Sequence, residues 1–235
     1  MSAVRIEALG DCALVIRFGD SIDAQLNARA LAACAALQSA ALPGVRDIAP
    51  AYASVCVHYD PCAWADAGDG RLPHLRLGER LRKLVDNVAT QPWVGAGEII
   101  DVPVCYGGEF GPDLHAVAEH AGMSVDEVVS RHAAGNYRVA MLGFAPGFAY
   151  LLGLDPELHT PRRANPRIRV PAGSVAIGGA QTGIYPHELP GGWNLVGRTP
   201  LTLFDASRAT PALFVPGQRV RLHAIEASQF RTSAA

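Results

Sequence analysis

Lysine is nearly absent from this chain. Lys83 is the only one, so nineteen of the twenty basic residues are arginine. Alongside abundant alanine this reads as a coding bias, and it weakens any inference drawn from an arginine's planar fork alone. Charge of either sign is scarce: 18% of residues are charged and the formal net charge is −2. Nucleic-acid binders usually carry a basic excess or a basic face, so that class is set aside. No apolar run is long enough to span a bilayer. The opening MSAVRIEALGDC lacks the basic-then-apolar pattern of a signal peptide. The five cysteines (Cys12, Cys34, Cys56, Cys62 and Cys105) show no CxxC spacing, which suits a reducing compartment and makes the cytoplasm the default expectation.

The familiar catalytic signatures are missing too. There is no GxxxxGK[ST] to cradle phosphates, no GxSxG elbow and no HExxH. Ser174, in PAGSVA, reads as a strand start rather than a nucleophile. Cys56, His58 and Cys62 lie close in sequence, but Cys56 and His58 share one face of a strand that also has to pack, so no metal is expected. Between residues 128 and 187 the only acids are Asp155 and Glu157, both in the turn LDPE. A pair of carboxylates for acid–base work therefore has few local candidates. His132 follows Val125, Val128 and Val129 at helical spacing, which fits either a buried helix-face histidine or a site residue.

What is present divides the chain in two. The first ninety residues are regular: a strand over Cys12–Phe18, a helix over Ser21–Gln38 with Ile22, Leu26, Ala30, Ala33 and Leu37 on one face, strands near Val45–Ala49 and Ser54–Tyr59, and a helix over His74–Ala89. This βαββα order suggests a small two-layer split βαβ unit. QPWVGAG at 91–97 reads as a connector, and the domain boundary is placed near residue 96. Beyond it, a strand at 99–106 leads to two short helices, the second opened by the capping box Ser124/Glu127. From Tyr137 onward, glycine and proline punctuate short apolar runs in an all-β pattern that suggests a barrel or closed sandwich. The fold class is α+β: a ferredoxin-like domain over 1–96 and a barrel domain over 97–235.

Two segments stand out in the second half. GFAPGFAYLLGL (143–154) and GGAQTGIYPHELPGGWNLVGRTP (178–200) combine glycine, aromatic rings and few charges, as a cleft wall or a protein interface requires. PRRANPRIRVP (161–171) holds Arg162, Arg163, Arg167 and Arg169, which form either a solvated face or an anion site.

These segments, with VPVCYGGEFGPDL (102–114) and the N-terminal GDCALVIRFGDSIDAQLNARAL (10–31), resemble the KipI / allophanate-hydrolase-subunit-1 family, and the likeness covers nearly the whole chain. The resemblance implies that the second domain is a cyclophilin-like β-barrel. It implies a B-type subunit of an ATP-dependent 5-oxoprolinase, inactive alone, pairing with a C-type subunit and cooperating with an A-type subunit to open 5-oxo-L-proline to L-glutamate. ATP, with Mg²⁺, then enters at the level of the complex. The substrate-binding residues expected from the matching motifs are Gln181, Tyr185, Trp193, Arg198, Arg163, Phe144, Pro146 and His132. Ala149 and Leu189 depart from the family pattern, and Leu189 removes a hydroxyl beside the expected cleft. Two other family roles stay open: carboxyl transfer in a urea carboxylase/allophanate system, and inhibition of a histidine kinase.

Overall fold

The computed structural model describes residues 4–65, 68–88 and 98–233. The chain divides into two compact units, Met1–Val94 and Gly95–Ala235. The boundary expected near residue 96 and the connector at 91–97 lie outside the described residues.

The first unit contains β1 (Arg5–Ala8), β2 (Ala13–Arg17), α1 (Ala24–Ala40), β3 (Val45–Pro50), β4 (Ser54–Tyr59) and α2 (Pro73–Val88). Alternation in β2 and β4 turns Leu14, Ile16, Val55, Val57 and Tyr59 to one face, where they meet Ala30, Leu37, Leu77 and Leu81 of the helices. The strand order β1-β2-β4-β3 places β4 between β2 and β3, antiparallel to both, as in a split βαβ unit. The edge strand β1 is additional to the expected βαββα. It occupies the place beside β2 that the closing strand fills when it follows the second helix, so the chain after α2 is free to leave the sheet. Helix α1 begins later than its periodicity suggested. The Asp23 carboxylate accepts from the Gln25 and Leu26 amides at 2.8 and 2.9 Å, which fixes the start there and leaves Ile22 exposed before it.

The second unit contains β5 (Ile100–Tyr106), α3 (Leu114–Ala121), α4 (Val125–Ala134), β6 (Tyr137–Leu142), β7 (Ala149–Leu152), β8 (Arg167–Val170), β9 (Ser174–Gly178), β10 (Gln181–Ile184), β11 (Leu189–Gly191), β12 (Asn194–Arg198), β13 (Arg219–Ala224) and α5 (Ala227–Ser233). Seven of these strands close a barrel in the order β10-β7-β6-β13-β5-β12-β9, and β8 and β11 pair as a separate ribbon. Val104, Val139, Leu151, Val175, Ile177, Ile184 and Val196 fill the barrel together with Leu114, Val117 and Val128 from α3 and α4. Half of the expected capping box forms at α4: Ser124 Oγ accepts from the Glu127 amide, whereas the Glu127 carboxylate turns to Arg131.

Because side chains alternate along a strand, Ala176 points away from Val175 and Ile177 to the outer side of the wall. There it joins Phe148, Val170, Tyr185, Trp193 and Leu195 in a second apolar layer. Val170 belongs to β8 and the neighbouring Leu189 to β11, so the ribbon roofs this outer layer.

Candidate functional site

The glycines of 178–200 make that outer layer possible. A Cβ at Gly178 would sit 2.5 Å from the Trp193 ring, and one at Gly183 would sit 3.1 Å from both Trp193 and Phe148. Bare backbone on neighbouring strands β9 and β10 thus forms a flat bed for the indole. A Cβ at Gly191 would overlap the Tyr185 hydroxyl. Phe148 is the hub of the rings, standing edge-on to Tyr185 at 5.0 Å and to Trp193 at 5.8 Å between centroids.

Beside this bed lies a cavity of about 360 Å³, lined by Phe144, Phe148, Tyr150, Tyr185 and Trp193, by Arg162 and Arg163, and by Pro166, Pro190, Gly191 and Gly192. That size and chemistry suit a small ligand held by ring faces and a few polar groups. Phe144 is 63% exposed and adopts φ +68°, a left-handed backbone rare for a bulky residue. Its ring leans edge-on against Phe148 at 5.5 Å.

The cationic side of the cavity is organised by Asp113, a residue distant in sequence. Asp113 stands at the N-cap of α3 but makes no side-chain cap there. The residue is 4% exposed, and its carboxylate accepts from Arg163 Nη1 at 2.7 Å, from Arg167 Nη1 and Nη2 at 2.7 and 2.8 Å, and from the Leu195 amide at 2.8 Å. Burial alone would raise its pKa. The hydrogen bonds from Arg167 and the Leu195 amide, with both guanidinium charges, outweigh burial and hold the carboxyl below the ordinary aspartate range. Arg169 faces Glu188 at 3.6 Å. Burial pushes the Tyr185 phenol up to about 12 and raises Tyr150 as well, against the opposing charge of Arg162, so both rings keep their hydroxyl proton near neutrality.

His132 is fully buried inside the barrel, not at this cavity. Its Nδ1 lies 2.8 Å from the Tyr106 hydroxyl and its Nε2 lies 3.0 Å from Thr182 Oγ1, while Thr182 donates to the Ala176 carbonyl at 3.0 Å. Thr182 has spent its proton, so it must accept from Nε2–H, which leaves Nδ1 to accept from Tyr106. The histidine is therefore neutral in one tautomer. Burial lowers its pKa to about 4 in agreement with that assignment.

Of the residues expected to share a site, Phe144, Tyr185, Trp193 and Arg163 converge on the cavity, whereas Gln181, Pro146, His132 and Arg198 do not line it. Arg198 donates from Nε to the Ala172 carbonyl at 2.6 Å and lies 5.7 Å from the Phe230 ring of α5. Sequence reasoning missed Asp113 as a site residue, and it held Arg162 only as one of four arginines of either a solvated face or an anion site. Asp113 stands at the start of a short helix, and nothing local marks its carboxylate as the partner of arginines 50 and 54 residues away. Cys56 Sγ approaches His58 Nε2 at 3.5 Å, but no group of three metal-ligating side chains converges among the described residues.

Comparison with known proteins places these features in a family. Residues 4–214 match the family model described as carboxyltransferase domain, subdomain C and D. The chain is 42% identical over 219 residues to a Bacillus subtilis (strain 168) protein named as the B-type subunit of 5-oxoprolinase, covering 92% of this chain and 91% of that one. Among solved structures it is similar to TTHA0988, with 40% identity and a TM-score of 0.77 over 96% of this chain, although it spans only 41% of the TTHA0988 chain. The urea amidolyase of Kluyveromyces lactis shares the fold, with a TM-score of 0.75 at 18% identity over 97% of this chain and 15% of that one. A family model matched across both units, and a relative aligned over nine-tenths of each chain, make this chain a member of the carboxyltransferase subdomain C and D family that includes the B-type subunits of 5-oxoprolinase.

Proposed function

We propose that this chain is the B-type subunit of a heteromeric, ATP-dependent 5-oxoprolinase that opens 5-oxo-L-proline to L-glutamate, working with a C-type and an A-type partner. The observation that carries this reading is the 42% identity to a B-type 5-oxoprolinase subunit along nine-tenths of both chains. The aromatic cavity supports it chemically. A five-membered lactam is small and nearly flat, and its faces suit the rings of Trp193, Tyr185 and Phe148.

The cavity's lining includes no carboxylate and no histidine. Nor does any cluster of three metal-ligating groups occur among the described residues. These residues do not fit a Mg·ATP site. In this reading the nucleotide is held by one of the partners, and the part played by this chain is to bind and orient the lactam and to keep water from its faces. The chain by itself is then inactive.

Reconstitution tests the proposal. This chain, combined with its C-type and A-type partners, should release glutamate from 5-oxoproline only with ATP, and omitting this chain should abolish release. A stable complex that makes no glutamate would overturn the reading and move attention to carboxyl transfer, the activity for which the matched family is described.

A further inference from the structure

Four arginines crowd 161–171, and three of them are already engaged. Arg163 and Arg167 share the Asp113 carboxylate, and Arg169 faces Glu188. Arg162 alone of the four makes no ion pair among the described residues. Its side chain is exposed, lines the cavity, and carries its guanidinium 5.8 Å from the centroid of the Trp193 ring. The backbone that bears it is clamped on both sides. Asn194 Nδ2 donates to the Pro161 carbonyl at 2.8 Å, and the Arg163 amide donates to the Gly192 carbonyl at 2.7 Å. The result is a cation on a fixed base, resting against an indole, with donors to spare. Tyr185 lines the same cavity, and its hydroxyl makes no hydrogen bond among the described residues.

We propose that Arg162 is the specificity-determining residue of this cavity, taking the carboxylate of a small planar lactam acid while the Tyr185 hydroxyl donates to the ring carbonyl. This rests on the 5-oxoprolinase reading for the identity of the ligand. The assignment follows from which charges are free. Arg163 lines the same cavity, but it is tied to the Asp113 carboxylate that it shares with Arg167, so part of its charge and one of its donors are already engaged and an incoming anion gains less from it than from Arg162. The cation–π contact with Trp193 at 5.8 Å holds the guanidinium beside the cavity without consuming its N–H donors.

Two ligands separate this role from simple support of the fold: 5-oxoproline, and 2-pyrrolidinone, which has the same lactam ring without the carboxylate. Binding is measured by calorimetry on the full chain and on its complex with the partners. Arg162→Gln should weaken 5-oxoproline about tenfold, the worth of one charge-assisted hydrogen bond at a part-exposed site, and leave 2-pyrrolidinone unchanged. Arg162→Lys should recover part of the loss, and Arg169→Gln should alter neither ligand. Tyr185→Phe should weaken both ligands alike, because both keep the ring carbonyl. Equal weakening of the two ligands by Arg162→Gln, or no effect on either, overturns the proposal. So does a wild-type protein that binds 5-oxoproline no better than 2-pyrrolidinone. If Arg162 discriminates the two ligands but the assembled complex releases no ATP-dependent glutamate, the Arg162 assignment stands and the activity reading falls.

Discussion

Replacing His132 by glutamine tests the neutral relay inside the barrel through the pH dependence of folding. Glutamine can accept from Tyr106 and donate to Thr182, but it has no proton to gain. In the native protein burial holds the imidazole near pKa 4, and no charged side chain bonds to it; its partners are the Tyr106 and Thr182 hydroxyls. The unfolded chain takes up the proton at about 6.5, the ordinary histidine value, whereas the folded chain resists until near 4. Between those values the unfolded state binds more protons, so stability falls as pH falls. Integrated over that window, the loss is about 2 kcal/mol by pH ~5 and about 3 kcal/mol by pH ~4. Urea denaturation of wild type and His132→Gln across this range measures it. The difference between the two proteins cancels every other histidine and carboxylate, so wild type should lose about 3 kcal/mol more than the variant. Parallel profiles would refute the claim that His132 is buried neutral in the native state.

Other substitutions probe the outer site. Asp113→Ala leaves Arg163 and Arg167 without their partner, but their side chains are 35% and 24% exposed and can rehydrate. The expected cost is therefore about 2 kcal/mol, below that of breaking a fully buried pair, read by denaturation; a cost near zero would show that the carboxylate does not organise this wall. Asp113→Asn should lose less, since the amide oxygen still accepts from the Leu195 amide. Gly178→Ala drives a methyl against the Trp193 ring and should cost about 2 kcal/mol as an overpacked contact. An unchanged melting temperature would mean that the indole does not rest there. Phe144→Gly removes a left-handed backbone penalty of about 1 kcal/mol, offset in part by the freer unfolded chain. That variant should be at least as stable as wild type, and a loss beyond ~1 kcal/mol would place the Phe144 ring in the core, contrary to its exposure.

The regular parts of the fold were legible because their periodicity is local. Leu14 and Ile16 in β2, Val55 and Val57 in β4, and the stripe of α2 each repeat at the spacing their element requires. The elements that went unread are short. β1 places only Ile6 toward the core, while β10 and β11 are four and three residues long and rich in glycine and proline, so no period can build up. The rings of 143–154 and 178–200 were legible as a cleft wall or a protein interface, because glycine lets bare backbone approach aromatic rings closely. Which arginine faced the cleft was not, because the outcome turns on Asp113, more than fifty residues away from Arg167. Arg198 misled for a related reason. A motif arginine beside a glycine-rich strand looks free until the C-terminal helix, with Phe230, is seen to lie against it.

The barrel carries its cavity on the outside because its inside is already filled. Valine, isoleucine and leucine side chains occupy the lumen, and the polar groups at its centre satisfy one another through Tyr106, His132 and Thr182. A charged ligand entering there would have to displace packed apolar groups and break a closed hydrogen-bond chain. The outer wall has the opposite construction. Gly178 and Gly183 remove side chains from two adjacent strands, Trp193 lies on the space left, and the β8–β11 ribbon closes over it with an arginine-rich approach. None of the side chains lining that space is an acid, a histidine, a cysteine or a serine, and its two tyrosines hold their protons. In the reading proposed, such a wall recognises and immobilises a lactam acid, and the groups that activate the amide come from the partners in the complex.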